Sequence, residues 1–174
     1  VSEKQATFSV QTGIENTTGE KQVVTLLTSL LDADGKEVVR LNPDTLTVEA
    51  TETSVLTQEL KLDNPLLWSI ETPYLYQVYT QVLAADGKLL DAYTTNTGAR
   101  YFCFDAEKGF FLNGEKVKIN GVCMHHDLGC LGAAVNMRAI ERQLEILKQM
   151  GCNGIRCSHN PPSPELLQLC DRMG

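Results

Sequence analysis

The first 102 residues of this 174-residue chain contain no cysteine and no histidine. Any sandwich or barrel built there must hold together without a disulfide. No apolar run approaches the ~20 residues that span a bilayer as a helix, so a membrane helix is excluded. The opening Val-Ser-Glu-Lys-Gln lacks a basic segment followed by an apolar one, so no secretory signal is visible. Neither half carries the basic stripe of a nucleic-acid binder, and neither a nucleic acid nor a membrane is expected as a partner. The net charge is −7, with residues 1–102 holding 14 acidic and 7 basic side chains and residues 103–174 holding 8 of each. The acidic excess reads as a solvated sheet surface.

What is present allows a sizeable core, since 43% of the residues are hydrophobic. The length suits one large domain, or one domain and part of another. All six cysteines and all three histidines fall after residue 102. Several of those cysteines lie in apolar strands or on a helix face, where small hydrophobes sit, so most are read as reduced core residues. Such usage favours a reducing compartment.

Residues 1–102 read as all-β. In residues 54–62, Leu56, Leu60 and Leu62 share one face while Thr57, Glu59 and Lys61 share the other. Tyr74, Tyr76, Val78 and Val82 repeat the alternation. Asp34-Gly35 and Asp86-Gly87 each stand between strand-like runs, the strongest short hairpin signal. About seven strands in some hundred residues predict an immunoglobulin-like β-sandwich without its inter-sheet disulfide.

Residues 103–174 change character. Asn113-Gly114 predicts a hairpin turn. A strand is expected over 117–124, ending at His125. After a Gly/Ala-rich loop, Asn136 is placed to cap a helix that runs to Met150 and stops at Gly151, with Ile140, Leu144 and Leu147 inward. A second strand is expected over 153–158. Ser163 then caps a helix that opens with Pro164, with Leu166, Leu167 and Cys170 inward. Alternating β and α predict a parallel sheet with helices outside. Two such units cannot close an eight-stranded barrel. The fold class is therefore a β-sandwich at 1–102 followed at 103–174 by the first two βα units of a (β/α)8 barrel.

The run Pro65-Leu66-Leu67-Trp68-Ser69-Ile70-Glu71-Thr72-Pro73-Tyr74-Leu75-Tyr76 resembles the sandwich domain of glycoside hydrolase family 2. Gly109-Phe110-Phe111-Leu112-Asn113-Gly114-Glu115-Lys116-Val117 resembles the hairpin by which that family enters its catalytic barrel. Gly121-Val122-Cys123-Met124-His125-His126-Asp127 and Arg156-Cys157-Ser158-His159-Asn160-Pro161 are similar to the ends of its first two barrel strands. Cys170-Asp171-Arg172-Met173-Gly174 is similar to the end of its second helix. The likeness covers essentially the whole chain and is nearest the β-galactosidase-like branch, with departures at Met124, Leu128 and Cys130.

The resemblance implies a retaining hydrolase of terminal β-glycosides, β-galactosides foremost, working in carbohydrate degradation. It implies an N-terminal jelly-roll domain and the remaining barrel as partners of this segment. Both catalytic glutamates would come from later strands, so no catalytic residue and no turnover are expected in the segment alone. It implies that His125, His159 and Asn160 bind sugar hydroxyls and that Arg156 supports the nucleophile. An imidazole suits the first task because its two nitrogens can donate and accept at once. A cation beside a carboxylate keeps it ionised. The resemblance implies no cofactor in this segment and leaves room for a mono- or divalent cation in the complete enzyme.

The residues also admit other readings. Asp127 is the one carboxylate near a strand's carboxyl end, whereas a retaining pair needs two about 5–5.5 Å apart. Glu141 and Glu145 read as ion-pairing surface beside Arg142 and Lys148. Cys123, His125, His126 and Cys130, or Cys152, Cys157 and His159, do not have zinc-site spacing, and no metal is expected on them. Trp68 reads as a buried anchor between sandwich and barrel before it reads as a sugar-stacking platform. A non-catalytic carbohydrate- or protein-binding sandwich module is the rival function. Exposed barrel strands would also invite self-association.

Overall fold

The structure, a computed structural model, describes residues 1–174. The chain divides into two compact units, one of residues 1–66 with 75–99 and one of residues 67–74 with 100–174.

The first unit holds β1 (Gln5–Glu15), β2 (Gln22–Leu31), β3 (Glu37–Arg40), β4 (Asp44–Val48), β5 (Thr53–Asp63), β6 (Tyr76–Ala84) and β7 (Leu89–Thr97). β1 and β5 form one antiparallel sheet, in register from Gln5 opposite Asp63 to Glu15 opposite Thr53. The other runs β3-β2-β6-β7, with β4 also paired to β2. Alternation sends Ala6 and Phe8, Val24, Leu26 and Leu30, Leu60, and Tyr76 and Val78 inward, where all are buried. Phe8 meets Tyr76 edge to face with centroids 5.9 Å apart, a geometry aromatic quadrupoles favour. Gln58 falls on the inward face of β5 and is buried; it accepts from Thr28 Oγ1 at 2.7 Å and donates to Asp44 Oδ2 at 2.6 Å. Those bonds remove the penalty of an unpaired buried amide. Both Asp-Gly turns close hairpins, with Gly35 at φ 79° and Gly87 at φ 84°, where a side chain would be strained.

The second unit opens with an antiparallel sheet of β8 (Phe102–Asp105), β9 (Gly109–Leu112) and β10 (Glu115–Lys116). The β9–β10 turn has Asn113 at φ 52° and Gly114 at φ 84°, the doubly positive pair that two-residue hairpins need. β11 (Gly121–Met124), α1 (Met137–Gln149), β12 (Gly154–Cys157) and α2 (Pro164–Met173) follow. β11 and β12 are parallel neighbours, in register from Gly121 opposite Gly154 to Met124 opposite Cys157, with α1 as the crossover. A Cβ on Gly121 would come within 2.8 Å of the Gly154 carbonyl oxygen, so this close strand contact requires glycine.

Both strands are shorter than the apolar pattern suggests. The Asn153 side chain takes up the backbone just before β11, accepting from Asn120 N at 2.8 Å and donating to Lys118 O at 3.0 Å. Val117 N is used by Phe110 O. Residues 117–120 therefore fall outside β11. The helix caps lie where the sequence puts them: Asn136 Oδ1 accepts from Ala139 N at 3.0 Å and Ser163 Oγ from Leu166 N at 3.4 Å. Ile140, Leu144, Leu166 and Leu169 form the buried cluster, with Met124, Ile155, Cys157 and Cys170 packed on it. In α2 the inward stripe runs 166, 169, 170, 173. Leu167, expected inward, is one position out of phase and stands 52% exposed.

Trp68 is buried and serves as a packing anchor, with all its partners inside the second unit. Its Nε1 donates to Asp171 O at 2.6 Å, Asn113 Nδ2 donates to its carbonyl at 2.9 Å, and the Arg100 guanidinium lies 4.4 Å over its ring. Lys148 Nζ donates to the carbonyls of Ile70, Met173 and Gly174, placing its charge at the carboxyl end of α2.

Candidate functional site

Strand alternation sorts the parallel pair by chemistry. Val122, Met124, Ile155 and Cys157 alternate with Cys123 and Arg156, and Met124, Ile155 and Cys157 pack on the helices. Cys123 and Arg156 are paired on the opposite face and are exposed. That leaves the carboxyl ends of both strands to release polar residues together. His125 follows β11, His159 follows β12 by one residue, and their rings lie 6.1 Å apart at 88° to one another. Ser158 N donates to Met124 O at 2.9 Å, so the strands stay joined up to this rim.

Arg156 is pinned by a hydroxyl. Its Nη1 donates to Oγ of the buried Ser158 at 3.0 Å and lies 3.8 Å from Cys123 Sγ. None of the ion pairs in the chain involves it. The guanidinium is thus held from behind with no carboxylate against it. Asn160 donates Nδ2–H to Pro161 O at 3.0 Å and places Oδ1 3.0 Å from His126 Nδ1. The structure therefore brings His125, His159, Asn160 and Arg156 to the same end of one strand pair.

The carboxylates are spent elsewhere. Asp127 Oδ1 accepts from Gly129 N at 2.8 Å, shaping its own turn. Glu141 and Glu145 are ion-paired, but with different partners from those the sequence suggests: both bind Arg138, at 3.1 and 2.8 Å, and Glu141 also binds Arg172 at 2.5 Å. Glu145 first and then Glu141 hold the Arg138 guanidinium still further toward its charged form. Arg138 lies on the face that Arg142 and Lys148 were expected to supply, three and seven residues before its partners.

The cysteines are less buried than their apolar surroundings in the sequence suggest. All six are free, and Cys103, Cys123 and Cys130 are exposed instead of buried in a core. Cys123 falls on the face away from the helices, and Cys130 sits in a short 3-10 turn. Cys170 is the one whose thiol is pushed up, by burial first and by Asp171 and Cys157 next. No three His, Cys, Asp or Glu side chains gather into a group that could hold a metal ion. Sequence reasoning left His126 outside the site and gave Ser158 no role. The first holds Asn160 and the second holds Arg156; only their nearness to the strand ends hinted at it.

A cavity of about 70 Å³ lies behind the rim, lined in part by Met124, His126, Leu128, Val135 and Asn160. It falls far short of the roughly 300–1,000 Å³ of ligand pockets.

Two sequence profiles match the chain, one described as glycosyl hydrolases family 2 at residues 1–100 and one as its TIM barrel domain at residues 106–174. The chain belongs to glycosyl hydrolase family 2. It is 57% identical over all 174 residues to the β-galactosidase BoGH2A of Bacteroides ovatus, of which it covers 20%. A solved family 2 member from Bacteroides cellulosilyticus superposes with a TM-score of 0.92 at 41% identity, over 99% of this chain and 24% of that one. The β-glucuronidase of Bacteroides uniformis superposes at 0.93 with 36% identity, over 100% of this chain and 21% of that one. The chain thus spans about a fifth of the length of the relatives it matches. Its fold is the family's immunoglobulin-like sandwich followed by the start of the TIM barrel, and its similar proteins are glycosidases.

Proposed function

We propose that the complete protein is a retaining β-glycosidase that cleaves terminal β-galactosides, and that this segment supplies one wall of its sugar site without turning substrate over. The observation that carries the reading is the pair of imidazoles, His125 and His159, delivered 6.1 Å apart by adjacent parallel strands. Active sites of α/β barrels lie at that strand end. His125, His159 and Asn160 hydrogen-bond sugar hydroxyls, each ring able to donate at one nitrogen and accept at the other. Arg156, held by Ser158 and free of any carboxylate, receives the nucleophile glutamate brought by a later strand and keeps it ionised. That glutamate and an acid/base glutamate about 5–5.5 Å away perform the double displacement: one attacks the anomeric carbon, the other protonates the leaving oxygen and then activates water.

The identity to a β-galactosidase favours a galactoside. So does the charge of the two loops: no Lys or Arg occurs between His125 and Met137 or between Cys157 and Asp171. A uronate carboxylate would find no cation in either. The rest of the barrel and an N-terminal jelly-roll domain complete the enzyme. The segment needs no cofactor of its own, and any cation belongs to the rest of the site.

The test compares the complete protein with the 174-residue chain on aryl β-galactoside and aryl β-glucuronide, following the first-formed anomer by proton NMR. Galactoside turnover with retention by the complete protein, and none by the chain alone, is expected. Preferred turnover of the glucuronide, or turnover by the chain alone, would overturn the reading.

A further inference from the structure

We infer that His126 is a positioning residue of this rim: its Nδ1–H holds the side-chain carbonyl of Asn160 and ties the loop after β11 to the loop after β12. The inference rests on the sugar-binding reading of the rim. Asn160 Nδ2 is committed to Pro161 O, so the amide presents Oδ1 to the ring 3.0 Å away. A carbonyl oxygen only accepts; the ring nitrogen facing it carries the proton, and Nε2 of the neutral imidazole is left as an acceptor.

The bond spans 34 residues and joins two loops of different βα units. The His126 side is itself anchored, because Gln143 Nε2 donates to Asp127 O at 3.2 Å and Asp127 Oδ1 accepts from Gly129 N. The strand ladder ends at the Ser158-to-Met124 bond, so beyond it the His126–Asn160 bond fixes where Asn160 stands. Of its two N–H groups and two carbonyl lone pairs, Asn160 keeps one of each unspent. With His126 Nε2, the clamp offers one donor and two acceptors, all uncharged. That set suits adjacent hydroxyls of a neutral hexose, which donate and accept in turn. A fixed Asn160 strengthens ground-state and transition-state binding equally, so its loss falls on KM more than on kcat.

In the complete protein, His126→Ala is expected to raise KM for an aryl β-galactoside about fivefold, the worth of one hydrogen bond, with kcat within about twofold. His126→Asn, which keeps an N–H near the Nδ1 position, should restore KM to within about twofold. His126→Gln, whose amide lies nearer the Nε2 position, should not. The His126→Ala, Asn160→Ala double variant should be no worse than Asn160→Ala alone. Additive effects, an unchanged KM in His126→Ala, or rescue by Gln and not by Asn would each overturn the clamp. If His126→Ala fails to fold by thermal melting, the Asn and Gln variants still decide. His159→Ala separates the two readings. If it leaves KM and kcat unchanged, the sugar rim itself is wrong; if it raises KM while His126 and Asn160 act additively, the clamp alone is wrong.

Discussion

The two units differ in how far their chains satisfy themselves. The β1–β5 ladder runs eleven residues and the β11–β12 ladder four, so the first sheet is held by far more cross-strand bonds than the second. The sandwich buries Leu26, Leu30 and Leu60 completely. The second unit buries fewer hydrophobic side chains, with one compact cluster between its helices; both units expose some, Phe102 and Phe104 in the second and Val55 and Tyr93 in the first. Yet every histidine and every cysteine is in that second unit. The well-packed unit carries no imidazole or thiol, and the sparsely packed one carries the candidate chemistry. Packing and candidate chemistry are thus divided between the two units.

The largest expected effects lie in the two cores. Leu26 and Leu169 are almost fully buried, at 0% and 1% exposure. Replacing either by Ala is expected to cost about 2–5 kcal/mol in its own unit. Trp68, the only tryptophan, reports on the second unit alone. Leu169→Ala should move the Trp68 fluorescence transition in urea, whereas Leu26→Ala should move the far-ultraviolet β signal and leave the fluorescence in place. Equal shifts of both signals by either variant would erase the distinction.

Next in size is amide exchange. In the dilute 174-residue chain, the amides of β2 and β6 should exchange on the order of a hundredfold more slowly than those of β11 and β12. Equal protection would contradict a second unit left incomplete by itself.

Thiol chemistry sharpens the contrast within the second unit. A raised thiol pKa means less thiolate at a given pH, and burial blocks access as well. At pH 8, Cys170 should be alkylated about tenfold more slowly than the exposed Cys103, Cys123 and Cys130, as read by peptide mass spectrometry. Equal rates would mean that the α1–α2 cluster opens freely. The smallest effect is expected at the cap: Asn136→Ala should lower the stability of the second unit by about 1 kcal/mol on the Trp68 signal, and Asn136→Asp should not.

The features legible in the sequence were those set by local chemistry. Asn113-Gly114 acts through the backbone angles of its own turn, and Asn136 and Ser163 through bonds to residues three positions away, so spacing reveals them. The alternation of β5 likewise marks its inward face. What escaped depends on distant partners. β11 begins late because of the Asn153 side chain, 33 residues from Asn120. Leu169 displaces Leu167 because the stripe of α2 follows where α1 packs. Three cysteines are exposed because the β11–β12 face, the β8 sheet and the loop turn leave them uncovered, and hydrophobicity alone cannot signal that. At the rim, the strand-end histidines were readable as a pair. The His126–Asn160 and Arg156–Ser158 bonds, which orient the residues expected to touch sugar, appear only when the two βα loops are brought together.

The most direct test is a crystal structure of the complete protein holding a slowly hydrolysed β-galactoside. Ring nitrogens of both His125 and His159 are predicted to lie within hydrogen-bond distance, about 2.7–3.2 Å, of hydroxyls on the same sugar. A sugar bound in the barrel mouth with neither imidazole in reach would contradict the account.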